Sequence, residues 1–403
     1  MRLPGFLSAF GFRNYRLLWT GAFLSSIGTW TQDVALSWLI HTRMGDPFYL
    51  GLRAFAADAP LIAFMLLGGA VADRFDRRRI LLASNTLQMA FAAALLALYL
   101  LGHLGIAAIL AVAFLTGLAQ SQSAPTYQAV ITSLVPPPEI PRAVALNSLQ
   151  FNLSRFIGPA IAGLLLARGG TSACLAVNVV SFVAVIVALA RIDFPSSTTT
   201  VAQETLVRSL KGGFTQMRAS PLLALLTALG AAGSFLGFPL ITYLPVIAGD
   251  VLGTGAAGYS LLLSSFGGGA ILGALITAHR GHVPGRGRAL LLAFMAYGAA
   301  SGGTVVSPRQ PVAMALLFVA GWALVTAFST LNSLVQESAP DAFRGRILSI
   351  YGFAFRGGMP LGSLLAGLAI RTLGVAPVIG AFSTALALMA AVLLFRNERL
   401  RTV

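Results

Sequence analysis

The chain has one cysteine, one lysine and four histidines in 403 residues. The single thiol, Cys174, excludes an internal disulfide and most thiolate metal sites. The lone Lys211 follows Leu210 instead of a glycine, so no phosphate-cradling Walker loop is present and ATP does not drive this chain. Neither H-E-x-x-H nor G-x-S-x-G occurs, and no catalytic residue is assigned. His279 and His282 stand three apart in a basic loop without acids or thiols, where contact with anionic lipid is a plainer reading than a metal. Charge is scarce too: 10% of residues, against ~25% in soluble domains. Together with an apolar content of 57%, this excludes a soluble enzyme, a disordered chain and a disulfide scaffold, and points to lipid as the solvent. Twenty-seven cations outnumber 12 acids, but they sit between apolar runs, so no nucleic-acid partner is inferred.

Apolar stretches of about 18 residues or more predict an all-α membrane protein with twelve transmembrane helices. They cover 16–41, 49–72, 79–101, 104–135, 141–167, 172–190, 221–247, 254–278, 288–306, 311–336, 343–370 and 375–395. One set of loops and tails carries twenty cations, from Arg2 to Arg401, and the opposite set only Arg43, Arg168, Arg309 and Arg371. That asymmetry predicts a multi-pass protein with both termini cytoplasmic.

A polar stretch at 192–219 divides the spans six and six. The expected domains are an N-terminal six-helix bundle over 1–191, a cytoplasmic linker with an amphipathic helix over 192–219, and a C-terminal six-helix bundle over 220–403. The halves share a weak repeat at an offset of 201, in which Ser148, Arg155, Pro159 and Leu164 match Ser349, Arg356, Pro360 and Leu365. Two pseudo-symmetric bundles are the build of a rocking transporter.

The loop between the second and third spans reads Gly69-Ala-Val-Ala-Asp73-Arg74-Phe-Asp76-Arg77-Arg78. It resembles the signature G-x-x-x-D-R-x-G/D-R-R of the major facilitator superfamily, and the resemblance covers the whole chain. The segment Ala339-Pro-Asp341-Ala-Phe-Arg344-Gly345-Arg346 is similar to the subgroup holding the enterobactin exporter and drug:proton antiporters. The resemblance implies the major facilitator fold and a conformational latch of Gly69, Asp73, Arg74, Asp76, Arg77, Arg78 and Arg344. Asp73 would meet the positive end of the helix starting near Arg344; alternatively, the arginines only set topology. Gly158-Pro159-Ala-Ile-Ala162-Gly163 resembles the second half of an antiporter motif, with Gly158, Pro159 and Pro360 as helix-bend positions; plain helix packing explains it equally well. One departure stands out: the fourth span lacks the arginine that many such antiporters carry, since Ala113 precedes Gly117 by one turn.

Asp33, Asp58, Arg155 and Arg356 fall within spans, where each costs at least ~2.5–3.5 kcal/mol facing lipid, so all four should face the protein interior. Two readings stand for Asp33 and Asp58. They are proton-coupling carboxylates, or they lie in permanent ion pairs, with Arg356 as the partner of Asp58. Gln32, Trp30, Gln120, Tyr127, Gln150, Arg155, Tyr243, Asn332 and Arg356 are the candidate substrate-cavity residues, a polar and aromatic mixture suited to amphipathic molecules. Most of them are expected to serve only packing or hydrogen bonding between helices.

The reading is a monomeric proton-coupled secondary transporter of the bacterial inner membrane. It exports small organic molecules of drug or siderophore type, its partners are substrate, protons and lipid, and its energy source is the proton gradient, with no cofactor and no metal. The alternatives are a uniporter or importer of a small metabolite, or a membrane-embedded enzyme or lipid scramblase.

Overall fold

The computed structural model describes residues 5–72, 76–194, 214–280 and 285–402, apart from the side chains of 5–6, 65–72, 278–280 and 342. The long helices are α1 (Arg13–Met44), α2 (Phe48–Ala72), α3 (Arg77–Leu100), α4 (Ile106–Ser133), α5 (Ile140–Arg191), α6 (Pro221–Gly237), α7 (Gly255–Arg280), α8 (Arg286–Val306), α9 (Gln310–Ser338), α10 (Arg344–Leu373) and α11 (Val375–Arg396). Among the described residues, nine segments are long and apolar enough to cross a membrane, and no strand is assigned.

The predicted fifth and sixth spans form one element, α5, broken at Gly170. There φ is +66° and ψ is −164°, a conformation open to glycine because it has no Cβ. The arm beyond the break, 171–191, is about 31 Å long, enough for a crossing by itself. The predicted seventh span is also interrupted. α6 stops at Gly237, short turns follow at Pro239–Thr242 and Leu244–Val246, and a π-helical turn closes the segment at Ile247–Val251. Pro239 and Pro245 lack the N–H that an unbroken ladder needs.

The chain forms two compact units, one made of Met1–Met44 and Ala56–Val201, the other of Gly45–Phe55 and Ala202–Val403. Residues 45–55 thus group with the second unit, although they precede the boundary expected in the linker. Those residues are held in the second unit by an ion pair from Asp46 to Arg371 (3.0 Å) and by Gly51, where any Cβ would press on the Tyr243 hydroxyl and the Ser363 carbonyl. Pro60, inside α2, cannot bond the carbonyl of Ala56, the residue at which unit membership changes.

In the first unit α1 packs along α5, and α3 packs on both α4 and α5. A core of Tyr15, Leu18, Leu81, Val130, Leu146 and Leu189 joins these helices. In the second unit α6 packs on α10, α7 and α8 on α9, and α8 on α11. Of the linker, 195–213 lies outside the described residues; 214–219 is helical, with Met217 buried and Phe214 half exposed under the Arg218 guanidinium.

The two entrances to the matched helices are alike as well, at an offset of 202, one residue out of register with the four matched positions. α5 and α10 are both entered through a 3₁₀ turn, Pro137–Glu139 and Asp341–Phe343. Each entrance carries an acid-to-arginine ion pair three residues apart, Glu139 with Arg142 (2.6 Å) and Asp341 with Arg344 (2.5 Å). Of the matched positions, Ser148 and Ser349 are exposed, Pro159 and Pro360 buried, and Leu164 and Leu365 exposed. The arginines differ: Arg155 is buried and Arg356 exposed.

Candidate transport site

The polar interior of the first unit is built on α1 and α5. Close contact between these helices depends on Gly158, where a Cβ would collide with the Trp30 Cβ and lie 3.1 Å from the Ile27 carbonyl oxygen. The Thr31 hydroxyl secures the approach by donating to the Gly158 carbonyl at 3.1 Å. Pro159 then leaves the Arg155 carbonyl without its helical donor, as Pro360 does for Arg356. The Arg155 side chain, 8% exposed, lies over Trp30 with its guanidinium carbon 5.4 Å from the ring centroid. Phe151 meets Trp30 edge-on at 6.2 Å and is half exposed. Trp30, Gln32 and Asp33 follow one another on α1, each partly buried.

Gln32 is fixed from behind. Asn178, on the second arm of α5 and 2% exposed, donates its amide to the Gln32 side-chain oxygen at 2.9 Å. Its own oxygen faces the hydroxyls of Ser181 (3.3 Å) and Thr29 (3.5 Å). The sequence reading did not single out Asn178, although an amide in the apolar run 172–190 was the available signal.

Gln150 and Gln120 are also committed to other helices. Gln150, 4% exposed, donates to the Ser26 hydroxyl (3.0 Å) and the Ala22 carbonyl (3.3 Å) on α1. Gln120 donates to Gln88 on α3 at 3.3 Å. Tyr127 packs against the apolar core of the unit. Asp58 is partly buried on α2, one residue after Ala57, whose carbonyl abuts Gly117 of α4.

In the second unit the candidates separate. Asn332 and Arg356 are exposed. Tyr243 is fully buried, and its hydroxyl donates to the Ser363 carbonyl at 2.7 Å, tying the broken segment after α6 to α10. Its place in an apolar span is equally consistent with wall and with core, and the buried hydrogen bond gives it a packing role.

The described part of the arginine-rich loop makes local contacts. Asp76 caps α3, accepting the Arg79 amide at 2.9 Å. Arg77, partly buried, opens the helix. Arg78 donates to the Ala190 carbonyl at 2.6 Å, placing a cation at the negative end of α5. Gly69 lies in α2 by its backbone, while Asp73 and Arg74, and with them the contact expected at Arg344, lie outside the described residues. Arg344 is exposed and is held by Asp341 and by the Gln336 carbonyl (3.1 Å). Among the described residues no group of three His, Cys, Asp or Glu could hold a metal.

Known proteins agree with this architecture. The chain is 24% identical over 388 residues to the staphyloferrin A transporter of Staphylococcus aureus, covering 96% of this chain and 97% of that protein. It is 26% identical over 372 residues to the enterobactin exporter EntS of Shigella flexneri, covering 88% and 84%. A D-xylose–proton symporter has the same fold, with a TM-score of 0.73 at 14% identity over 96% of this chain and 99% of that one. A family model described as transmembrane secretion effector matches residues 5–403. The chain is therefore a multi-pass membrane transporter and not an enzyme, and it belongs to the transmembrane secretion effector family of the major facilitator superfamily.

Proposed function

We propose that this chain is a proton-coupled exporter that moves small amphipathic organic molecules out of a bacterial cell by alternating access. The reading counts twelve crossings: α1 to α4, the two arms of α5, the segment begun by α6, and α7 to α11. Both termini are then cytoplasmic, the inner membrane is the site, and the protein works as a monomer without a cofactor. The proton gradient supplies ~2.3 kcal/mol per charge for each 100 mV of potential.

The observation that carries the reading is the row Trp30-Thr31-Gln32-Asp33 on α1. An ionisable carboxylate stands inside a long helix beside an amide fixed from behind by Asn178, with an arginine over the neighbouring indole. Such a group inside a membrane protein is retained for function. Asp33 accepts a proton from the outer side as cargo departs and releases it inward. The likeness to the enterobactin exporter favours export; the likeness to a symporter concerns the fold alone.

Reconstitution tests this. Asp33→Asn removes pH-driven transport in proteoliposomes while substrate binding persists. Unchanged proton-driven uptake into inverted vesicles would take Asp33 out of the mechanism.

A further inference from the structure

The second unit contains an aromatic surface that sequence reading passed over. Phe328 on α9 and Phe355 on α10 meet edge to face, with centroids 4.8 Å apart and planes at 74°. Phe238, at the break after α6, lies 6.0 Å from Phe328 and 6.1 Å from Phe355. Two further rings stand behind. Phe294 is fully buried and meets Phe328 at 5.6 Å, and Tyr351 is 6% exposed and stacks on Phe355 at 6.2 Å. The three front rings are partly exposed. The front rings thus offer surface to a neighbour, which the back rings do not.

Its position also points to a ligand. Phe355 stands eleven residues into α10, and Phe328 ten residues before the end of α9 at Ser338. At 1.5 Å per residue both are about 15–17 Å from those ends, well inside helices of about 44 Å. Phe238 separates α6 from the turn at Pro239, and interrupted helices are a feature of transporter substrate sites. Asn332, exposed one turn along α9 from Phe328, adds a polar neighbour. Rings set edge to face present both positive edges and negative faces, which suits another planar π-system better than a saturated one.

We propose that Phe238, Phe328 and Phe355 form an aryl-binding surface of the cargo site, and that the exported molecule carries a planar aromatic ring. This rests on the reading of the chain as an exporter of organic molecules.

The test compares two carboxylates that differ only in ring saturation, 2-naphthoate and decahydro-2-naphthoate. Each is titrated by calorimetry against the full-length protein in detergent, without any gradient. The aromatic probe is expected to bind about tenfold tighter. Phe328→Leu and Phe355→Leu keep apolar bulk, and each should erase most of that preference while the saturated probe binds within about twofold of its original strength. Retained binding of the saturated probe certifies that each variant is folded. Equal binding of the two probes by the unaltered protein, binding of neither, or a preference that survives both substitutions overturns the aryl surface. Proton-driven movement of 2-naphthoate in proteoliposomes is measured alongside. Its absence with the preference intact overturns the exporter reading alone, and its presence without the preference overturns the aryl surface alone.

Discussion

Arg155 lies with its guanidinium carbon 5.4 Å from the centre of the Trp30 ring, so a buried charge of α5 rests on an aromatic face of α1. Its counterpart in the internal repeat, Arg356, is exposed. One duplicated position thus serves two environments. A planar guanidinium stacks on indole in a way that an ammonium does not.

From that contact follows a graded series. Arg155→Lys keeps the charge and loses the stacking, and should lower the initial transport rate about three- to tenfold, equivalent to ~1 kcal/mol. Trp30→Leu should act similarly, and the double variant should be little worse than either single one. Initial rates in proteoliposomes provide the check; additive losses would separate the two residues.

Gly158 permits the close approach of α1 and α5. Gly158→Val places a side chain on Trp30 and against the Ile27 carbonyl. The expected loss is about 3 kcal/mol, visible as a lowered midpoint in thermal unfolding in detergent. An unchanged midpoint would show that the helices can part freely there.

Tyr243→Phe removes a buried donor to the Ser363 carbonyl. It should cost about 1–2 kcal/mol of stability. Because Tyr243 is fully buried, affinity for cargo should be unaltered. A change in binding without a change in stability would return Tyr243 to the cavity wall.

Asp76→Ala deletes the cap of α3 and should lower stability by about 1 kcal/mol, whereas Asp76→Asn should retain most of it. Unfolding of the two variants side by side distinguishes the cap from a purely electrostatic role, in which the asparagine variant would fare as badly as the alanine one.

Much of the helical layout was legible because a lipid solvent requires long apolar runs, and α3, α8 and α11 begin and end within a few residues of the predicted spans. The break at Gly170 falls in the gap expected between the fifth and sixth spans, whereas the interruption at Phe238–Pro239 was harder to see, since it lies in continuous apolar sequence and depends on backbone geometry. The motif pointed to Asp76 and Arg78 but could not show that one caps α3 and the other closes the end of α5. Charge and amide content singled out Gln32 and Arg155; Asn178 and the Phe328–Phe355 pair went unremarked because polarity alone does not reveal which side chain stands behind another, and phenylalanine is common in any span. Tyr243 illustrates the limit: a phenol in an apolar helix has the same composition signal whether its hydroxyl meets water or a carbonyl.

Helix α2 contributes its first turns to one compact unit and the rest to the other, and Pro60 removes a rung of its ladder at the changeover, Ala56. A helix with a missing rung bends there at less cost than an unbroken one, so the proline sets where α2 yields. Pro60→Ala would restore the rung and stiffen the helix.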